Sequence, residues 1–169
     1  MLDFLLGLVA IIIKFHFNNS RTTLLPPPPL IFFGRRVALT HLLQLFEMNR
    51  PKPVYASILG MGGISKTALG LALLHHQSIR KQFGDLRWFI SCEGVVDADG
   101  LRSSIAHTLQ MNEKILIPSP RKLASSIQAT MLLTLDNLET PWDPATHRQS
   151  VEELLLQLTD VPVYRSGSP

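Results

Sequence analysis

An α/β fold, a parallel sheet covered by helices on both faces, is what this 169-residue sequence predicts. Three observations lead there. Short apolar runs at residues 54–59, 86–91 and 131–135 alternate with stretches of helical periodicity. A glycine-rich turn at residues 60–67 joins the first run to the helix after it. Apolar residues make up 46% of the chain and charged ones 17%, too little charge for a disordered polymer and enough apolar surface for a buried sheet.

The N-terminal residues 4–13 are an apolar run of ten. A bilayer span needs about 20, so a membrane association is not expected. The start Met1-Leu2-Asp3 places an acid where a secretory signal carries a basic residue. A packed or accidental extension is the preferred reading, with a signal or an anchor left open. The Asn18-Asn19-Ser20 sequon matters only in a secreted chain and is read as accidental. Pro26, Pro27, Pro28 and Pro29 favour polyproline II and cannot enter a helix or a central strand. Residues 24–34 therefore read as a stiff Pro-rich linker between an extension at 1–23 and a body at 35–169.

Within the body, residues 37–48 are helical, with Val37, Leu42, Leu45 and Phe46 near one face. Pro51 and Pro53 punctuate the chain before the strand at 54–59. Residues 66–76 form a helix apolar on nearly every side, and a second strand follows at 86–91. Leu101, Ile105 and Leu109 recur every four residues behind Asp97 and Asp99, either of which suits a helix cap. Ser119-Pro120 reads as a cap and first helical position ahead of Leu123 and Ile127. The third strand, 131–135, ends at Asp136, and Val151, Leu154, Leu155 and Leu158 make the last helical stripe.

The net charge of +3 and the pI near 9.3 are mildly basic. Lys and Arg occur singly or in pairs, without the clustered footprint that a nucleic-acid partner requires. Cys92 is the only cysteine, so no internal disulfide forms and a reducing, cytoplasmic compartment fits. At the end of its strand Cys92 reads as a packed apolar residue. His75-His76 reads as a C-terminal helix cap, Trp88 as a core residue and Trp142 as a loop anchor.

The chemistry converges on Gly60-Met61-Gly62-Gly63-Ile64-Ser65-Lys66-Thr67, a phosphate-binding P-loop in its proper context between a strand and a helix. Glycines let the backbone reverse and bring its N–H groups close to phosphate oxygens. The helix N-terminus adds unsatisfied donors and partial positive charge. Lys66 would reach the outer phosphates, and the Thr67 hydroxyl would ligate magnesium. Ser65 stands where the second defining glycine belongs, and its added Cβ crowds the turn. Asp136 ends a later buried strand, where a carboxylate shares the sheet rim with the loop and would hold the metal through water. Glu139 either orients an attacking water or is a solvated loop charge. Asn137 follows Asp136 where many related enzymes carry a second acid, which favours binding over hydrolysis.

The ordered series Leu25-Pro26-Pro27-Pro28-Pro29, Ile31-Phe32-Phe33-Gly34-Arg35, the loop with Ile58 and Leu59 before it, Ser91-Cys92-Glu93, and Leu135-Asp136-Asn137-Leu138-Glu139-Thr140-Pro141-Trp142-Asp143 resembles the nucleotide-binding domain of NB-ARC/NACHT-type (STAND) signal-transduction ATPases, in the fungal NOD-like receptor branch. The resemblance implies a three-layer P-loop NTPase sheet flanked by helices. It also implies an ATP/ADP switch with Mg2+ that controls oligomerisation in larger cytoplasmic receptors. Partners would be nucleotide and a homo-oligomer or full-length relatives. Gly34 and Arg35 would lie near the adenine. Gly60, Gly62, Gly63, Ile64, Ser65, Lys66, Thr67 and Ala68 would line the phosphates, with Thr67 and Asp136 on the metal and Lys66 and Glu139 in any hydrolysis.

Two departures follow. Arg36 and Ala38 replace acids that the family carries after its Gly-Arg pair. In the family a further strand bearing a sensor arginine lies between the P-loop strand and the metal-binding strand. Here residues 161–169 are short of apolar length and carry Pro162, so the sheet is expected to be incomplete at the C-terminus with a gap at its centre. Arg165 is a weak candidate for the sensor. The resulting expectation is an ATP- or ADP-binding domain with weak or no hydrolysis. The alternatives are a truncated, non-catalytic fragment pairing with full-length relatives and a small phosphotransferase.

Overall fold

A computed structural model of the chain describes residues 6–16, 25–47, 55–59, 66–110, 128–142 and 145–159. In chain order the elements are β1 (Leu6–His16), α1 (Arg36–Glu47), β2 (Tyr55–Leu59), α2 (Lys66–His75), α3 (Gln77–Phe83), β3 (Arg87–Ser91), α4 (Ala98–Thr108), β4 (Gln128–Asp136), α5 (Glu139–Trp142) and α6 (Ala145–Thr159). The fold is α/β. The helix expected behind Ser119-Pro120 lies outside the described residues.

The four strands form one sheet in the order β2-β1-β4-β3. β3 and β4 are parallel, pairing Trp88 with Leu133 and Ser91 with Asp136. β1 is antiparallel to both β2 and β4, so β2, β3 and β4 all run in one direction. A purely parallel sheet is therefore corrected to a mixed one. The expected central gap is also corrected. The strand that fills it comes from the N-terminus, through Ala10 opposite Ala56 on one side and Thr134 on the other.

The physical reason is visible in β1 itself. A strand flanked on both edges inside a covered sheet needs a near-continuous apolar run, and Leu8-Val9-Ala10-Ile11-Ile12-Ile13 is one, rich in β-branched residues. The pairing register shifts between Leu6 and Leu8, a bulge that falls at Gly7.

Helices cover both faces of β4. Met131, Leu133 and Leu135 join Trp88, Ile90, Leu101, Ile105, Val151, Leu154 and Leu158 in one buried cluster. Leu132, on the alternate side of the strand, joins Leu42, Phe46, Leu69, Leu73, Leu74, Ile79 and Phe83 in another. The period-two alternation of β4 thus divides α4, α5 and α6 from α1, α2 and α3. The Pro-rich segment lies on the second of these faces. Leu25 and Phe32 pack against the cluster, and the Pro26 carbonyl is 2.7 Å from His75 Nε2.

His75-His76 behaves differently from a single cap. His75 ends α2, while the His76 side chain accepts from the Ser78 N–H and opens α3. Trp142 is likewise no loop anchor: it closes α5 and is buried with the core.

Because β1 is paired on both edges, its amides between residues 8 and 13 are expected to exchange with solvent as slowly as those of β4. Ala10→Pro, which removes a ladder donor from a central strand, is expected to lower stability by roughly 3–5 kcal/mol. Hydrogen exchange and urea denaturation check the two outcomes.

Candidate functional site

The site grows from the rim where β2 and β4 end. Strands running in one direction bring their carboxyl ends to one edge of the sheet, the usual place for ligand chemistry in α/β folds. Lys66 and Thr67 are the first two residues of α2, which follows β2, and α2 has no acid in its first turn to compete for an anion. Asp136 is the last residue of β4. Asn137 then takes φ +60°, a left-handed conformation that asparagine tolerates. Its side-chain amide donates to Thr140 Oγ1 at 3.3 Å. This turn starts α5 at Glu139, and buried Leu138, Pro141 and Trp142 pin it to the core.

Four of the sequence-predicted groups are thereby joined. Thr67 Oγ1 donates to Asp136 Oδ2 at 2.8 Å, across 69 residues of chain. Lys66 Nζ lies 3.8 Å from Glu139 Oε1, with the lysine side chain 12% exposed and the glutamate 33%. Glu139 Oε2 is a buried acceptor without a hydrogen-bond partner among the described residues. Ala68 follows in α2, half-buried. Gly34, at φ +70°, and Arg35 form the turn ahead of α1; the Arg35 carbonyl accepts from the Leu39 N–H at 3.0 Å. Gly60, Gly62, Gly63, Ile64, Ser65 and the sensor candidate Arg165 lie outside the described residues.

Asp136 is 9% exposed, and burial raises its carboxyl pKa above the ordinary aspartate value. The Thr67 hydroxyl, the Asn137 backbone N–H and the Lys66 charge act in the opposite direction and do not cancel the effect. Cys92 sits beside it, donating its backbone N–H to the Asp136 carbonyl at 2.8 Å. Its thiol is pushed up to about 12, first by burial and then by the negative charges of Asp136 and Glu139. A thiol so protonated is packing, not a nucleophile.

Magnesium prefers hard oxygen ligands and takes only one or two carboxylates from the protein, the rest being water and phosphate. The Thr67 hydroxyl and the Asp136 carboxylate are such a donor set, already in contact. Among the described residues no group of three or more His, Cys, Asp or Glu could hold a metal by itself.

Sequence reasoning identified Lys66, Thr67, Asp136 and Glu139 but did not pair Lys66 with Glu139. The pairing depends on the left-handed turn at Asn137, which the spacing of Asp136 and Glu139 does not reveal. No family model, curated protein or solved structure matches this chain.

Two outcomes follow. The folded state holds the Asp136 proton more tightly than the unfolded chain, so this group's contribution is most favourable below its ordinary pKa and declines as pH rises through the raised value. Asp136→Asn keeps an oxygen acceptor for Thr67, and denaturation curves across pH should show that decline removed. Iodoacetamide at pH 8 should leave Cys92 unmodified in the folded protein and alkylate it after denaturation, as read by mass spectrometry.

Proposed function

We propose that this chain binds ATP or ADP with magnesium as a P-loop domain of the STAND signalling type, with weak or no hydrolysis. The observation that carries the reading is the 2.8 Å hydrogen bond from Thr67 to Asp136. A threonine after the P-loop lysine and an acid at the end of another strand of the sheet are the two protein groups that share magnesium in P-loop sites. Their contact needs β2 and β4 to be co-directional, which the sheet provides.

In this reading, nucleotide phosphates take over Lys66 from Glu139, exchanging one anionic partner for another. Thr67 and Asp136 hold the magnesium, which supplies charge neutralisation at the phosphates. Backbone donors of Gly60, Gly62, Gly63, Ile64 and Ser65 would line the phosphates with Ala68 at the helical end, and Gly34 and Arg35 would serve the base, as the resemblance implies. Metal binding would require the Asp136 carboxylate ionised, and because burial favours its protonated form, metal-dependent affinity is expected to rise with pH. Hydrolysis is weak because Asn137 stands where a second acid would activate water.

A three-layer P-loop arrangement is the finer fold in this proposal, supported by helices on both faces of β4. A role in cytoplasmic signal transduction, as a nucleotide-controlled homo-oligomer or with full-length relatives, follows from the resemblance alone. Among the described residues no helix is long and apolar enough to cross a membrane.

Magnesium with ATP or ADP at a hundred times Kd should stabilise the protein by about 2.7 kcal/mol, a rise of about 5–10 °C in Tm for a chain of this size. Lys66→Ala and Thr67→Ala should each abolish most of the rise while leaving the protein folded by circular dichroism. A folded wild-type protein that shows no shift with millimolar nucleotide sinks the reading.

A further inference from the structure

A carboxylate already faces the lysine of the candidate phosphate site. Glu139 Oε1 lies 3.8 Å from Lys66 Nζ, and Glu139 Oε2 is buried with no hydrogen-bond partner among the described residues. The backbone beneath this side chain is fixed. Asn137 turns at φ +60°. The Thr140 N–H donates to the Asn137 carbonyl and the Trp142 N–H to the Leu138 carbonyl, both at 3.3 Å. Leu138, Pro141 and Trp142 are buried on either side of the glutamate. A carboxylate tethered by so tight a turn has a high effective concentration at the lysine. The pair is nonetheless half made. A charged oxygen held away from water with no donor is unfavourable, so this anion holds the lysine weakly enough to be displaced. Its charge also reaches past the lysine: after burial, Asp136 and Glu139 are what push the Cys92 thiol up.

We propose, resting on the nucleotide binding proposed for this site, that Glu139 is a built-in competitor of phosphate for Lys66 and makes the site select magnesium-loaded over metal-free nucleotide. A metal-free polyphosphate brings its whole negative charge to a lysine that a fixed carboxylate already faces. It must break the ion pair and then lie beside the displaced anion, which is unfavourable at such short range. Magnesium changes the balance. Its two positive charges offset the phosphate oxygens and the protein carboxylates together, so like charges no longer meet unscreened. Glutamine at this position has nearly the same shape and no charge. It neither competes for Lys66 nor repels phosphate. This role differs from orienting an attacking water, because it acts on binding and applies to ADP as much as to ATP.

The test is calorimetric titration of ADP and of ATP into the full chain, once in magnesium chloride and once in EDTA. The wild type is expected to bind about tenfold or more weakly in EDTA. Glu139→Gln should regain most of that loss, while its magnesium-loaded affinity moves by less than about threefold and its circular dichroism spectrum is unchanged. Glu152→Gln, which removes a carboxylate from α6 on the other face of β4, should keep the wild-type dependence on metal. Wild-type affinities within about threefold of each other in the two buffers overturn the proposal and leave nucleotide binding standing. A folded Glu139→Gln that gains nothing in EDTA does the same. No binding by either protein in either buffer sinks the nucleotide reading itself, and the role of Glu139 with it.

Discussion

Backbone pairing of β1 on both of its edges is the constraint on which the rest of the structure depends. β2 is held in the sheet through β1, since the order is β2-β1-β4-β3. Neighbouring strands lie about 4.8 Å apart, so the intervening strand sets β2 and β4 roughly 10 Å from each other. It also forces them to run the same way, because it opposes both. From that spacing and direction follow the meeting of Thr67 with Asp136 and the return of Glu139 to Lys66. A sheet is a row of obligatory donors and acceptors. A chain offering β2 and β4 without a strand between them would leave inner edges unpaired, and the apolar N-terminal run is the segment that satisfies them.

The polar cluster is expensive to hold, which bears on its purpose. Asp136 is buried enough that its charged form is disfavoured, despite the Thr67 hydroxyl and the Lys66 ammonium. Glu139 leaves one carboxylate oxygen buried without a partner among the described residues. Hydrophobic residues in the same places would cost the fold less. Unfavourable polar burial retained at the carboxyl rim of a sheet fits a site that waits for cations and phosphates better than a scaffold built for stability alone.

How far the fold was legible depended on the distance of the interaction that decides each element. α4 was readable with a cap at either Asp97 or Asp99, because a cap is a bond to the next turn; the structure uses Asp97, which accepts from the Gly100 N–H at 2.8 Å. β3 and β4 were readable from local apolar runs. Asp136 and Thr67 were legible as partners only because each sits at a sequence position whose chemistry is known to need the other. β1 was not legible. Its composition shows that it can be buried but not beside what, since its partners lie more than forty residues away at Tyr55–Leu59 and farther still at Gln128–Asp136. α3 was missed because seven residues between α2 and β3 give too few turns for a periodic signal.

The direction of β1 has a chemical consequence as well as a structural one. A central strand running with β2 and β4 would end at the rim of Asp136 and deliver its next side chains there. β1 runs the other way, and at that rim it begins, with Leu6 opposite Leu59 and Leu8 opposite Asp136. Its only Lys or Arg, Lys14, pairs with Thr130. That position is six residues from Asp136 along β4, about 20 Å at the rise of an extended strand. β1 therefore completes the backbone of the sheet without bringing a second cation to the rim where Lys66 and Asp136 lie. Lys66 is there with Glu139 beside it. In the proposed reading, charge developing during phosphoryl transfer goes largely unanswered while ground-state phosphates are still held. A site built this way would retain nucleotide more readily than it would turn it over.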